Sequence, residues 1–140
     1  MIKKPSCRPE FRFLADGRLV LEMPIPDRAC SPNAQRGQSR GAAIRKSRVV
    51  KAHRTLAHLL TVSAMASGGR RTFGSYALAF YWPTAAWRDD DNADASCKAY
   101  RDGIAQALGM NDRDLRKGAL SQHAKDAAAP RVTITLFPIP

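Results

Sequence analysis

Alternating apolar and polar residues along this chain predict a small number of strands. Leu19, Leu21 and Met23 alternate with other side chains, as expected for a strand with one buried face. Asp16-Gly17, just before this run, suits a tight hairpin turn. Together with an aromatic-rich run and a closing alternating run, the pattern predicts strands at 11–14, 18–23, 72–82 and 132–137. A further strand is expected within about 114–123.

Apolar residues spaced three and four apart predict two helices. The first extends from residue 46 or 47 to about 67 and ends at Gly68-Gly69, and the second extends from about Asn92 to Gly109. The order β(β)-α-β-α-β-β predicts an α+β single domain with a small mixed sheet and two helices. Residues 1–9 are expected to form a loose arm and residues 27–45 a basic loop. On the second helix one face is charged: Asp91, Asp94, Lys98, Arg101 and Asp102.

Length and composition favour an ordinary folded domain. The chain has 140 residues, of which 44% are hydrophobic, enough for a core without disulfides. Its three cysteines are far apart and form no CxxC pair, so neither a disulfide framework nor a zinc site is predicted. We find no apolar run of membrane-spanning length and no signal-peptide pattern. A cytoplasmic protein without a membrane partner is therefore expected.

The charge distribution indicates a polyanionic partner. The net charge is +11, and no Asp or Glu occurs from Arg28 to Arg88, a span that contains 11 Lys and Arg. Such an excess is typical of nucleic-acid binding, although a solvated basic loop would explain part of it equally well. The residues that we expect to contact DNA are Arg36, Arg40, Arg45, Lys46, Arg48, Arg70 and Arg71.

Acidic residues, in contrast, are concentrated in one stretch. Seven of the 12 lie between Trp87 and Leu115, and three of these are consecutive, from Asp89 to Asp91. Carboxylates this close repel one another unless they stay solvated, take up protons or share a cation, and a hard cation such as Mg²⁺ suits them. A helix cap within a solvated acidic loop is the alternative explanation.

A protein nucleophile finds no support in the sequence. Cys97 falls on the apolar face of the second predicted helix, and His123 stands alone. His53 and His58 are five residues apart and do not share a helix face, which argues against a metal pair there. Water activated by a metal ion is therefore the simplest mechanism for an acidic cluster inside a basic protein.

The acidic stretch resembles the RusA family of Holliday-junction resolvases, which are small endonucleases common in phages and prophages. That family has Asp-x-Asp-Asn, then a helix with Lys and an Asp-Gly or Asp-Ala pair, then an Asp-Asp loop. In this chain Asn111 stands in place of the first Asp of that loop, and the Lys follows Asp91 by seven residues. The matching residues are Asp89-Asp90-Asp91-Asn92, Lys98, Asp102-Gly103 and Asn111-Asp112. Residues 19–26 and 132–137 resemble the first and last strands of the family.

This resemblance implies a homodimer that cuts branched DNA symmetrically in recombination and repair. It implies Mg²⁺, with Mn²⁺ as an alternative and no organic cofactor. Asp89, Asp91 and Asp112 would be the metal ligands, with Asp114 as a substitute for Asp112, and Lys98 would lie at the scissile phosphate. Asn92 and Asp102 would support these residues. The alternative is a phage nucleic-acid-binding protein without catalytic activity.

Overall fold

The computed structural model describes residues 7–32, 39–69 and 71–140. These residues form three α-helices and a six-stranded mixed sheet, so the predicted α+β class is confirmed. The strands are β1 (Glu10–Phe13), β2 (Leu19–Met23), β3 (Phe73–Trp82), β4 (Arg116–Lys117), β5 (Gln122–Lys125) and β6 (Arg131–Pro138). The helices are α1 (Arg40–Gly68), α2 (Asp90–Ser96) and α3 (Lys98–Leu108).

The sheet order brings the end of the chain into the middle of the sheet. The order is β1-β2-β6-β3-β4, and β5 also pairs with β3. The pairs among β1, β2, β6 and β3 are antiparallel, whereas β4 and β5 run parallel to β3, one after the other along the same edge. A parallel neighbour requires a crossover connection, and here that connection contains α2 and α3. The acid-rich segment is therefore carried from the end of β3 back toward β4 and β5.

The first two strands form the predicted hairpin. Leu14 donates a backbone hydrogen bond to the carbonyl of Arg18 at 2.8 Å, and the Asp16 side chain accepts one from the Arg18 amide at 3.1 Å. Gly17 has a φ of +92°, which glycine adopts without steric cost. The turn residues therefore set the register in which Phe11 pairs with Leu21.

The core lies between the sheet and helices α1 and α3. The apolar positions that the sequence pattern predicts for one face of β2, β3 and β6 are buried, and the intervening Val20 and Thr133 are buried as well. Gly103 permits the close crossing of α3 on α1, because a Cβ there would overlap the carbonyl oxygen of Arg54 and lie 3.0 Å from the His58 amide nitrogen. The largest fully buried side chains include Tyr100, Phe73, Phe80, Leu19, Leu21, Met23, Leu78, Ile104, Ile134 and Leu136.

Helix α1 begins earlier than predicted. It starts at Arg40, and Ser39 caps it by accepting a hydrogen bond from the Ala42 amide at 3.2 Å. The predicted basic loop at 27–45 therefore overlaps the first turns of α1, and residues 33–38 of it lie outside the described residues, as do residues 1–6 of the predicted arm. Although α1 has 29 residues, neither it nor another described helix carries an apolar stretch that would cross a membrane.

Two elements that the pattern predicts as continuous are divided. The second predicted helix breaks at Cys97, whose φ and ψ are −88° and 2°, so that α2 and α3 replace it and the total is three helices rather than two. The Ser96 hydroxyl donates to the Ala93 carbonyl at 2.6 Å and closes the end of α2. The strand predicted within 114–123 divides into β4 and β5 around Gly118, whose amide donates to the Tyr76 carbonyl at 2.7 Å.

Candidate functional site

The first turn of α2 presents the three consecutive aspartates in different directions. Asp89 is the N-cap, and its carboxylate accepts a hydrogen bond from the Asn92 amide at 3.2 Å. Asp90 and Asp91 follow in the first turn, where the helix dipole favours negative charge. Asp91 is exposed, and it has no hydrogen-bond or ion-pair partner among the residues that the structure describes. Capping therefore accounts for Asp89, whereas Asp91 contributes to the fold only through its charge near the start of the helix.

Asp90 and Asp94, one helical turn apart, face the edge strands. Asp94 forms a salt bridge with Lys117 of β4 and accepts a hydrogen bond from the Ser121 hydroxyl. Asp90 lies 2.6 Å from Nε2 of His123 and 4.0 Å from Nζ of Lys117. We call these five residues the paired network. They join α2 to β4 and β5 through polar contacts.

The charge state of the paired network follows from its geometry. Partial burial alone would lower the pKa of Lys117, but the hydrogen bond and charge of Asp94, with the charge of Asp90, outweigh burial and raise that pKa. Nε1 of Trp82 donates to Nδ1 of His123 at 3.0 Å, so the ring proton of a neutral His123 lies on Nε2 and points at Asp90. Both ring nitrogens are therefore engaged.

His123, which stands alone in the sequence, has several partners in the structure. Besides its two hydrogen bonds, the imidazole stacks on the Phe80 ring with 5.1 Å between the centroids. Position 123 comes to α2 because β5 pairs in parallel with β3, aligning His123 with Phe80. Sequence spacing carries no signal for this contact, since 33 residues separate Asp90 from His123.

Three of the predicted site residues meet at the start of α3. Nζ of Lys98 lies 3.2 Å from both carboxylate oxygens of Asp102, one helical turn further on, and 3.6 Å from Oδ2 of Asp112. Gly109 ends α3 in the left-handed conformation, and a 3-10 helix (Asp112–Asp114) then returns the chain toward Lys98. This group stays accessible to solvent, because the side chains of Lys98 and Asp112 are 63% and 52% exposed.

An open cleft of about 520 Å³ surrounds these three residues. Helix α1 forms its other wall and contributes Arg54, which the sequence analysis did not connect with the acidic residues. The Gly103 contact fixes the Arg54 backbone against α3. We call this cavity the open cleft. Its lining residues are Arg54, Lys98, Asp102, Ala105, Gln106, Met110, Asn111 and Asp112.

A larger cavity of about 650 Å³ lies on the Asp89 side of α2. Trp87, which is 84% exposed, and Arg88 line it together with Asp89 and Asn92. The Arg88 guanidinium lies 4.7 Å from the centre of the Trp82 ring and bonds to the Ala86 carbonyl at 2.9 Å. The segment between β3 and α2 is therefore held in place by Arg88.

The predicted metal ligands do not form a ready-made cluster. Across residues 7–32, 39–69 and 71–140, no group of three or more His, Cys, Asp or Glu side chains is close enough to hold a metal ion. Asp112 lies in the open cleft, Asp89 lines the larger cavity, and Asp91 lies on the exposed surface of α2.

The chemistry of these side chains nevertheless fits a hard cation. Mg²⁺ takes one or two protein carboxylates and completes its shell with water and phosphate oxygens. The Asp112 carboxylate already lies 3.6 Å from the positively charged Nζ of Lys98, and the Asp91 side chain is exposed. A metal held jointly by protein and DNA would suit this arrangement, whereas a site built from protein ligands alone would not.

Most of the predicted DNA-contacting residues lie on α1 or next to β3. None of those that are described has a salt-bridge partner within the described chain, and Arg71 packs 5.3 Å from the centre of the Phe13 ring. Arg36 and Arg70 lie outside the described residues. The described members are Arg40, Arg45, Lys46, Arg48 and Arg71.

Cys97 takes the packing role that its apolar face predicts. It is fully buried, and burial raises the pKa of its thiol to about 12. The thiol is therefore protonated at neutral pH and is no nucleophile there.

Comparison with known proteins adds one relative. No family model matches the chain. An uncharacterized protein of Xylella fastidiosa (strain Temecula1 / ATCC 700964) is 40% identical over 99 residues, which cover 66% of this chain and 60% of the relative. The match thus spans less than two thirds of that protein's length.

Proposed function

We propose that this chain is a Mg²⁺-dependent endonuclease that hydrolyses phosphodiesters in Holliday junctions or other branched DNA, as its resemblance to the RusA family implies. The observation that carries the proposal is the open cleft, which Lys98, Asp102 and Asp112 line together with Arg54 of the basic helix α1. Carboxylates for a hard cation and cations for a phosphate are the two components that metal-dependent phosphodiester cleavage requires.

Helix α1 supplies the DNA-binding surface in this proposal. Its first four turns are basic and contain no acidic residue, and the paired network neutralises acids elsewhere. The basic side chains at the start of α1 are therefore available to bind DNA phosphates, and each such contact releases a condensed counterion. Arg40, Arg45 and Arg48 are the residues that we expect to contribute most.

In the proposed reaction, at least two of the carboxylates of Asp89, Asp91 and Asp112, which line different parts of the surface, would come together on the metal ion. Bound Mg²⁺ would supply Lewis-acid activation of the attacking water. Lys98 offsets the negative charge that develops on the phosphate, and Asp102 keeps its ammonium group in position at 3.2 Å. The backbone N–H of Asn92 donates a hydrogen bond to the carboxylate of Asp89, the N-cap of α2, and so orients it.

Incubation with a synthetic four-way DNA junction tests this proposal. We expect paired nicks near the branch point in the presence of Mg²⁺ or Mn²⁺ and none in EDTA, whereas linear duplex of the same sequence stays intact. Asp91→Asn should abolish cleavage and leave binding unchanged or tighter, because it removes one negative charge beside the DNA. Cleavage by Asp91→Asn at the wild-type rate would rule out the assignment of the ligands.

A second candidate, a nucleic-acid-binding protein without catalytic activity, is favoured by the capping role of Asp89 and the salt bridges of Asp94. In that case the acidic residues stabilise α2 and do no chemistry. The junction assay separates the two candidates. A binding protein would shift the junction in a gel at every Mg²⁺ concentration without nicking it.

The proposal includes a homodimer acting in the cytoplasm during recombination or repair. The second half of α1, from Thr55 to Gly68, has no charged residue, yet Leu59 and Val62 are 57% and 43% exposed. An exposed uncharged helical face of this kind suits association with a second copy. Light scattering should give about twice the mass of 15.4 kDa, and Leu59→Lys should return the protein to a monomer.

A further inference from the structure

The open cleft carries a net negative charge unless a residue of α1 is included. Lys98 is shared by the carboxylates of Asp102 and Asp112, so these three side chains together carry one net negative charge. A phosphate that approached them alone would be repelled. Without a bound metal ion, a further positive group is needed before the cleft can accept a nucleic-acid backbone.

Arg54 is the group that meets this need. It lines the same cleft, and its guanidinium has no salt-bridge or hydrogen-bond partner in the described part of the chain. With Arg54 the charges of the four side chains sum to zero, and among these four only the guanidinium has donors that no carboxylate in the described chain shares. A guanidinium presents two parallel N–H groups, which match two oxygens of one phosphate.

The position of Arg54 is also fixed relative to the acidic residues. The backbones of α1 and α3 approach each other closely where Gly103 meets the Arg54 carbonyl, and Gly103 directly follows Asp102. Neighbouring α1 arginines such as Arg48 do not line the cleft. Arg54 is therefore tied to the cleft by backbone contact, whereas the other basic residues of α1 form a general surface.

We propose that Arg54 binds the phosphate group of the DNA strand that enters the open cleft and so places that strand next to Lys98 and Asp112. This inference rests on the proposed function, since it names the residue that seats the substrate at the same site. It differs from general electrostatic attraction because it predicts a contact to one particular phosphate.

The test compares Arg54→Gln with Arg116→Gln, which removes the same charge from an exposed arginine of β4 outside the cleft. Single methylphosphonate replacements, which make one phosphate neutral, are scanned along the strands of a four-way junction, and binding is measured in EDTA. For wild type and Arg116→Gln, we expect one neutral position near the branch point to weaken binding by roughly tenfold, as for loss of a charged hydrogen bond. For Arg54→Gln the same replacement should cause no further loss, and Arg54→Lys should restore part of the effect.

The result that overturns the proposal is an identical methylphosphonate profile for Arg54→Gln and Arg116→Gln, with both variants retaining the wild-type melting temperature. This scan needs no catalysis, so it judges Arg54 even if the wild-type protein does not cut. In cleavage assays at saturating protein, Arg54→Gln should reduce the rate at which the bound junction is cleaved by roughly tenfold or more, while Arg116→Gln leaves that rate unchanged. Absence of wild-type nicking would instead count against the proposed endonuclease.

Discussion

The paired network and the open cleft use the same residue types for different ends. In the paired network, Asp94 is 19% exposed and lies against Lys117 and Ser121, so its charge is matched by groups of the fold itself. In the open cleft, Asp112 is 52% exposed, and its one charged partner within the described part of the chain is the Lys98 ammonium at 3.6 Å, which Asp102 shares. Asp94 and Asp112 belong to the same acidic stretch, and their neighbours in space distinguish them.

This difference separates the acidic residues that stabilise the fold from those that are available for chemistry. When a partly buried, hydrogen-bonded carboxylate is replaced, the protein loses stability, because the partners of the carboxylate are left unsatisfied. An exposed carboxylate with a weak ion pair contributes little to stability. A large loss of stability from a mutation in the open cleft, with none from a mutation in the paired network, would therefore contradict this distinction.

The largest expected effect is on catalysis in the open cleft. Asp112→Asn should reduce the rate of junction cleavage by roughly a hundredfold or more, because a neutral amide is a poor ligand for a hard cation. The free energy of unfolding should change by no more than about 0.5 kcal/mol, since the side chain is exposed. Single-turnover cleavage and urea denaturation measure the two quantities. A large loss of stability would show that Asp112 stabilises the fold, as Asp94 is expected to do.

The next effect concerns the wall of the open cleft. Gly103→Ala should destabilise the protein by about 1–3 kcal/mol, because the added methyl group overlaps the Arg54 carbonyl oxygen and forces α1 and α3 apart. Urea denaturation checks this value, with Gly41→Ala as the control, since a Cβ at Gly41 lies no closer than 4.0 Å to the Ser39 hydroxyl oxygen. Equal stability of the Gly103→Ala and wild-type proteins would contradict the close crossing.

The opposite pattern is expected in the paired network. Asp94→Asn should lower the free energy of unfolding by about 1–2 kcal/mol, because Lys117 loses its closest charged partner while the shape of the side chain is retained. Junction binding should persist in the folded variant. Thermal and urea denaturation measure the loss, and Asp91→Asn is the matched control in the same helix. If both variants were equally stable, the network would contribute nothing to the fold.

The smallest effect is a dependence of stability on alkaline pH. The pKa of Lys117 is raised in the folded state, so its ion pairs contribute fully below its ordinary pKa of 10.5 and are lost as the pH rises through the higher folded-state value. Lys117→Met lacks this contribution at every pH. The difference in urea midpoint between wild type and Lys117→Met should therefore be constant at pH 8–10 and shrink at higher pH. A difference that grows with pH would have the wrong sign.

The sequence predicts local contacts well in this protein. Lys98 and Asp102 meet because they are four residues apart on a helix, and the charged face that they form follows from periodicity. The hairpin at Gly17 and the burial of alternate residues in β2 and β6 likewise follow from short-range patterns. The earlier start of α1 also had a signal, since Ser39 is a good N-cap residue.

Contacts that depend on strand order could not be predicted in the same way. Lys117 and His123 reach α2 because β4 and β5 pair in parallel with β3, and no spacing in the chain encodes that register. The break at Cys97 has no Gly or Pro to mark it, and Arg54 joins the open cleft through a helix crossing between residues far apart in sequence. These non-local contacts separate structural acids from those proposed for chemistry.

The most direct measurement is the anomalous scattering of Mn²⁺ in crystals of the protein bound to a four-way junction. We expect a peak within about 2.2 Å of carboxylate oxygens from at least two of Asp89, Asp91 and Asp112, with a DNA phosphate in the same coordination shell. The side chains of Asp90 and Asp94 should remain on His123 and Lys117. A peak between Asp90 and Asp94, or no peak shared by two of Asp89, Asp91 and Asp112 at saturating Mn²⁺, would overturn the proposed metal site.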